Sequence, residues 1–393
     1  MEQWNRKLKI ILYTVFFCLG IFVIGGGGSR ILKEWKLAWN QNLQLWAEQM
    51  YLPNLTQVQD HKIPSLQEWI AENAMKMIPL GAYVQANEGL QNEVEDQMTT
   101  EMILRAQAGD EHEVGADGNL VSGENTQAKL DAAAPAAGGV DTSLEKMKDF
   151  EYLLSNFYTV DSTTMIDAGQ LDAEALLSEN MKITLSSGGY KVLIFHTHSQ
   201  ETFADSVEGD PSTSIVGVGE YLTQRLNEKG ISTLHDTGVY DLINGKLNRS
   251  KAYEFSEEGV RPILAENPEI EVVIDLHRDG VGNDTHLVTD VNGKPTAKIM
   301  FFNGLSRTRS NGDLTSLPNP YIQDNLAFSL QMQVAAENRF PGFARHIYLK
   351  GYRYSLHMMP KSLLIEAGAQ TNTMEEMKNA MDVLADLLYQ VLA

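Results

Sequence analysis

The sequence predicts an α/β domain, a mostly parallel twisted sheet with helices on both faces, preceded by a transmembrane helix and a disordered acidic linker. Three observations predict it. Apolar β-type runs alternate with helical patterns from about Phe150 onward, the pattern of βαβ units. An uncharged apolar run lies near the start of the chain, and an acidic tract without aromatics separates it from the alternating part. The 393 residues are about two domains' worth at roughly 150 each. With 43% apolar and 21% charged residues, the composition is ordinary for a globular chain.

The first element is an anchor, residues 1–29. Ile10 to Ile24 is almost wholly apolar, and Gly25–Gly28 extends the uncharged run. Its full length comes close to the roughly 20 residues that a helix needs to span a bilayer core. Arg6, Lys7 and Lys9 precede it and no small-residue cleavage pattern follows, so the segment reads as a retained signal anchor. The expected localisation is a single-pass protein of the cell membrane with a cytoplasmic N-terminus and the bulk of the chain extracytoplasmic.

Residues 30–84 form a juxtamembrane helical region. No tryptophan occurs beyond Trp69, and Leu32, Trp39 and Trp46 recur every seven positions, with Leu43 and Met50 on the same stripe. Such a face serves self-packing at the membrane interface or a partner helix. Ser65 with Glu68 is a capping-box start for a helix from Leu66 to about Ile78.

Residues 85–149 are the linker. Twelve acids face Arg105 and Lys129 between Gln85 and Asp141, close to half of the chain's net charge of −21. A tract this polar buries too little apolar surface to offset its ordering entropy. The acidic balance also argues against a nucleic-acid partner, which needs clustered Lys and Arg. A lone cysteine, Cys18, excludes internal disulfides and thiolate metal sites, so any metal must use His, Asp and Glu.

Residues 150–393 are the catalytic domain. Strands are expected at Tyr190–Phe195, Ile231–Leu234, Glu271–Leu276, Ala297–Phe302 and Ser362–Ile365, and helices at Ile215–Glu228, about Ser250–Glu266, Tyr321–Arg339 and from Thr373 to about Leu392. In such sheets the site lies beyond the carboxyl ends of the strands. Three ends carry chemistry: His196-Thr197-His198-Ser199-Gln200-Glu201, Asp275-Leu276-His277-Arg278-Asp279, and Glu366-Ala367-Gly368. Neutral imidazoles with a carboxylate make a catalytic zinc site, and a further carboxylate acts as general base. His61, His112, His235, His286, His346 and His357 lack such a setting and read as surface or core residues, as do Met358-Met359 and Phe301-Phe302.

Together with Asn156–Asp161 and Leu364–Gly368, these motifs resemble the stage II sporulation protein P family over about residues 150 to 393. The resemblance implies a sheet of the zinc amidase and carboxypeptidase type. It also implies a zinc-dependent peptidoglycan hydrolase, an N-acetylmuramoyl-L-alanine amidase that also cleaves stem-peptide cross-links, working at the engulfing membrane of an endospore former. The implied partners are stage II sporulation proteins D and M. Carried over residue by residue, His198, Glu201 and His277 hold zinc and Glu366 is the base.

His196 is the alternative first ligand or a second-sphere residue; His198 is preferred because it lies further past the strand end, three positions from Glu201. Arg278 is a substrate-carboxylate clamp or the ion-pair partner of Asp279. Tyr354-Ser355-Leu356-His357 departs from the Tyr-Asn type of segment expected of the family, which bears on substrate contacts there. The competing readings are a zinc carboxypeptidase or deacylase on the same sheet and a membrane-tethered scaffold; a metal phosphoesterase would need more His and Asp ligands.

Overall fold

The computed structural model describes residues 140–185, 188–243 and 245–393. The anchor, the juxtamembrane region and the linker up to residue 139 lie outside the described residues, and among the described residues no helix is long and apolar enough to cross a membrane. Among the described residues, ordered structure is already present ahead of the expected boundary at 150. Helix α1, Leu144–Met147, falls inside the segment assigned to the linker, and its Met147 is buried in the main core.

Helix α2 (Phe150–Phe157) is capped by Asp149, whose side chain accepts from Tyr152 N, and runs straight into β1 (Tyr158–Val160). Then come α3 (Ala173–Ser178), β2 (Val192–Phe195), α4 (Ile215–Glu228) and β3 (Thr233–His235). A small hairpin of β4 (Leu242–Ile243) and β5 (Lys246–Leu247) precedes α5 (Ala252–Glu266), and β6 (Val272–Asp279) follows. Two more hairpins, β7 (Val288–Val291) with β8 (Lys294–Ala297) and β10 (Arg307–Thr308) with β11 (Gly312–Asp313), flank β9 (Ile299–Gly304). The chain ends with α6 (Ile322–Arg339), β12 (Ile347–Lys350), β13 (Ser362–Ala369) and α7 (Met374–Leu392). Thr373 and Glu376 cap α7 reciprocally.

The seven-stranded sheet has the order β1-β12-β9-β13-β6-β2-β3. Five of its six pairings are parallel and one, β9 with β13, is antiparallel. The sheet is therefore two parallel blocks of opposite direction meeting at β13. β3, β2, β6 and β13 run the same way, so their carboxyl ends share one edge, opposite to that of β1, β12 and β9.

Both faces are covered, which is why the strands read as apolar runs. Val192, Ile194, Val272, Ile274, Leu276, Leu363 and Ile365 pack with α4, α6 and α7 in the main core. On the other face Leu193, Phe195 and Val273 pack under Val260 of α5, and Phe302 and Leu364 pack with Tyr253 and Tyr354.

Two strands outrun their expected lengths. β6 continues through His277 to Asp279, and β13 through Glu366 to Ala369. The charged residues are held in strand geometry by pairing with each other, Glu366 opposite His277 and Ala369 opposite Asp279. The register breaks between Glu366 and Ala369. Gly368 there has φ +58°, and a Cβ on it would come within 2.6 Å of Met377 Sδ, so the bulge needs glycine.

Candidate metal centre

The turn after β2 splits its two histidines between the faces. His198 joins Glu201 and His277 in a buried group whose ligand atoms lie within 4.8 Å of one another. His196 goes the other way, under α4. Its Nδ1 donates to the Leu276 carbonyl at 2.7 Å, so its Nε2 accepts from His235 Nε2, 2.9 Å away. His235 Nδ1 in turn faces Glu220 at 3.0 Å. Burial, together with the neighbouring His235, pushes His196 down to about 3 and keeps it neutral. A Cβ on Gly219 of α4 would fall 2.5 Å from His196 Nε2, so this pair exists only because α4 offers bare backbone.

Each residue of the metal group is held. Glu201 Oε2 accepts the backbone N–H of Arg278 at 2.8 Å, which couples the turn to β6. Ser199 Oγ and Gln200 N donate to the fully buried Asp241 at 2.9 and 3.2 Å. His277 Nε2 lies 2.7 Å from Asp275 Oδ1. Glu366, register partner of His277 on the adjacent strand, projects from the same face.

Asp275 is the residue whose part sequence reasoning missed. Besides facing His277, its carboxylate accepts Thr197 N at 2.9 Å and Thr197 Oγ1 at 2.7 Å, so one buried group braces the segments of both imidazoles. Burial alone would raise this acid, yet His277, Thr197 and Ser355 together hold it below the ordinary carboxylate range. The only signal in sequence was its place in Asp-x-His; Thr197 is 78 residues away.

The ion pair read for Arg278 with Asp279 goes to another residue. Asp279 pairs with the buried Arg345, at 2.6 Å, and not with the Arg278 side chain, whose Nη1 donates to the Asp279 carbonyl at 3.0 Å. Arg278 thus contributes its main chain to Glu201 and brings its half-buried guanidinium into the electrostatic reach of Glu201 and Glu366. The segment 354–357 is support: Ser355 reaches Asp275, and His357 Nε2 lies 2.9 Å from Glu257 of α5. Buried Tyr354, in the left-handed region at φ +53°, stacks edge-on against Tyr253, which stacks against His198. Of the remaining histidines, His286 is solvent-facing and pairs with Glu376 at 2.9 Å.

Chemically, the arrangement offers two imidazoles and a carboxylate to a metal ion, with a second carboxylate alongside. The family model described as stage II sporulation protein P matches residues 67–389. Stage II sporulation protein P of Bacillus subtilis (strain 168) is 26% identical over 215 residues, 51% of this chain and 50% of that protein, so the chain spans about half the length of the curated relative it matches. Among solved structures, similarity extends to the CwlD amidase of Clostridioides difficile in complex with the GerS lipoprotein (17% identity, 51% of this chain and 94% of that one, TM-score 0.32). It also extends to the N-acetylmuramoyl-L-alanine amidase AmiC2 of Nostoc punctiforme (14%, 53% and 97%, TM-score 0.28).

Proposed function

The chain belongs to the stage II sporulation protein P family, and from that premise we propose that it is a membrane-anchored, zinc-dependent peptidoglycan hydrolase of sporulation. It is an N-acetylmuramoyl-L-alanine amidase that also cuts stem-peptide cross-links. Carried by residues 1–29, it works outside the cytoplasm at the engulfing membrane, with stage II sporulation proteins D and M as partners. The observation that carries the reading is the buried His198, Glu201 and His277 group with Glu366 in register beside it.

The donor set fits zinc. Two neutral imidazoles and one carboxylate are three protein ligands of a catalytic site, and the chain's one cysteine, Cys18, stands in the apolar run near its start. When bound, the ion supplies Lewis acidity that polarises an amide carbonyl and brings the pKa of a water to about 7. The chain's own residues do the rest. Asp275 and the Arg278 N–H keep His277 and Glu201 in place. Glu366 accepts the proton of the attacking water and hands it to the departing amine nitrogen, which cannot leave as an anion. Arg278 draws a substrate carboxylate towards the site. The test is a zymogram on purified sacculi with and without a chelator. Clearing that the chelator abolishes and zinc restores supports the reading, whereas clearing indifferent to the chelator overturns the metal. Release of free peptides with the muramoyl linkage intact would select the carboxypeptidase reading instead.

A further inference from the structure

One charged side chain near the metal group is used by nothing above. Arg249 stands in the short turn Arg249–Lys251 that leads into α5, and its side chain is mostly buried. Its Nη1 lies 3.4 Å from His198 Nδ1 and 3.6 Å from Glu201 Oε1. Glu201 has two oxygens, and Oε2 already accepts the Arg278 N–H. The oxygen left for a cation is thus the one Arg249 faces. A guanidinium keeps its charge at any pH a protein meets and only donates. Two of the three ligand side chains therefore already have a cation against them.

We infer that Arg249 is a built-in competitor for the metal, a resident cation that neutralises Glu201 in the metal-free site and must withdraw when the ion enters. The inference rests on the metal reading and adds a setting of affinity to it. A carboxylate as buried as Glu201 needs counter-charge, which Arg249 supplies together with the guanidinium of Arg278. A dication drawn to the same oxygen repels the guanidinium, so metal binding carries the cost of displacing it. The withdrawal belongs to the side chain, not to its segment. Asn248 N donates to the Asp241 carbonyl at 2.7 Å while the Asp241 carboxylate holds Ser199 and Gln200. The backbone before Arg249 is thereby tied to the same turn that carries His198 and Glu201. Orientation of Glu201 does not depend on Arg249, because Arg278 N supplies it; removing the charge removes the competitor and leaves the ligand in place.

The experiment measures zinc affinity of the full chain in detergent by competition with a chromophoric chelator, beside the melting temperature with and without zinc. Arg249→Met should bind zinc about tenfold tighter, in the range by which groups around the ligands tune metal sites. It should also melt lower than wild type without metal and gain more on adding zinc. Arg249→Lys, which keeps the charge, should stay near wild type, and Arg249→Gln serves if the methionine variant does not fold. Zinc affinity unchanged or weaker in a folded Arg249→Met or Arg249→Gln, with wild type binding zinc, overturns this inference alone. A wild type that binds no zinc overturns the metal reading and this inference together.

Discussion

His196 and His198 stand two positions apart on one turn, yet they belong to different chemistries. Below the sheet, His196 sits under α4 in a closed hydrogen-bonded line with His235 and the Leu276 carbonyl. Above it, His198 converges with groups from β6 and from the turn's own end. Both are buried, so burial does not distinguish a structural from a ligating histidine. The partners do: one faces a carbonyl and a second imidazole that satisfy it, the other faces a carboxylate and another imidazole that together offer lone pairs to a cation.

The comparison breaks most sharply on the upper face. His277→Ala should abolish zinc binding and reduce wall hydrolysis to background, read as metal content per protein beside turnover. Glu366→Gln, nearly isosteric, should keep zinc at wild-type stoichiometry and lower turnover by about 10²–10⁴-fold; a near wild-type rate would mean that another group takes the proton. Asp275→Asn should weaken zinc binding by about 10–100-fold, measured by chelator competition, because it removes the charge beside His277 and the anchor of Thr197. The smallest effect on the site belongs to the lower face. Gly219→Ala drives a methyl into His196 and should lower stability by about 1–3 kcal/mol in denaturant titration. Zinc stoichiometry should stay unchanged. Loss of metal in that variant would show that the two faces are not independent.

What the sequence makes legible follows from range. β2, β6 and β13 are visible as apolar runs, interrupted in β6 only by Asp275, because both faces of the sheet are covered, and His198, Glu201, His277 and Glu366 are visible as polar residues where those runs stop. Their true setting is less visible. Charged residues such as Arg278 and Asp279 look like loop, and only pairing with another strand keeps them extended. β1 and β12 escape notice because Thr159, Tyr348 and Lys350 interrupt their apolar residues, so neither stands out as an apolar run. The antiparallel direction of β9 beside β13 is a property of neighbours distant in the chain, Phe302 opposite Leu364, which no local pattern encodes. Arg249 was illegible for the same reason, 51 residues from the histidine it touches.

Among the described strands, the one that joins the two blocks is also the last to be made. β13 inserts between β9 and β6, and without it neither block has a pairing to the other. A chain emerging from the ribosome N-terminus first can form β2, β3 and β6, with His198, Glu201 and His277, long before Glu366 exists. The pairing that completes the sheet waits until residues 362–369 have been made, a non-local closure of the slow kind. Any product truncated before Ser362 lacks both the acid and the seam. For a protein read as cutting the wall that contains the cell, the order of synthesis matters: no chain that stops short of Glu366 carries all four of His198, Glu201, His277 and Glu366.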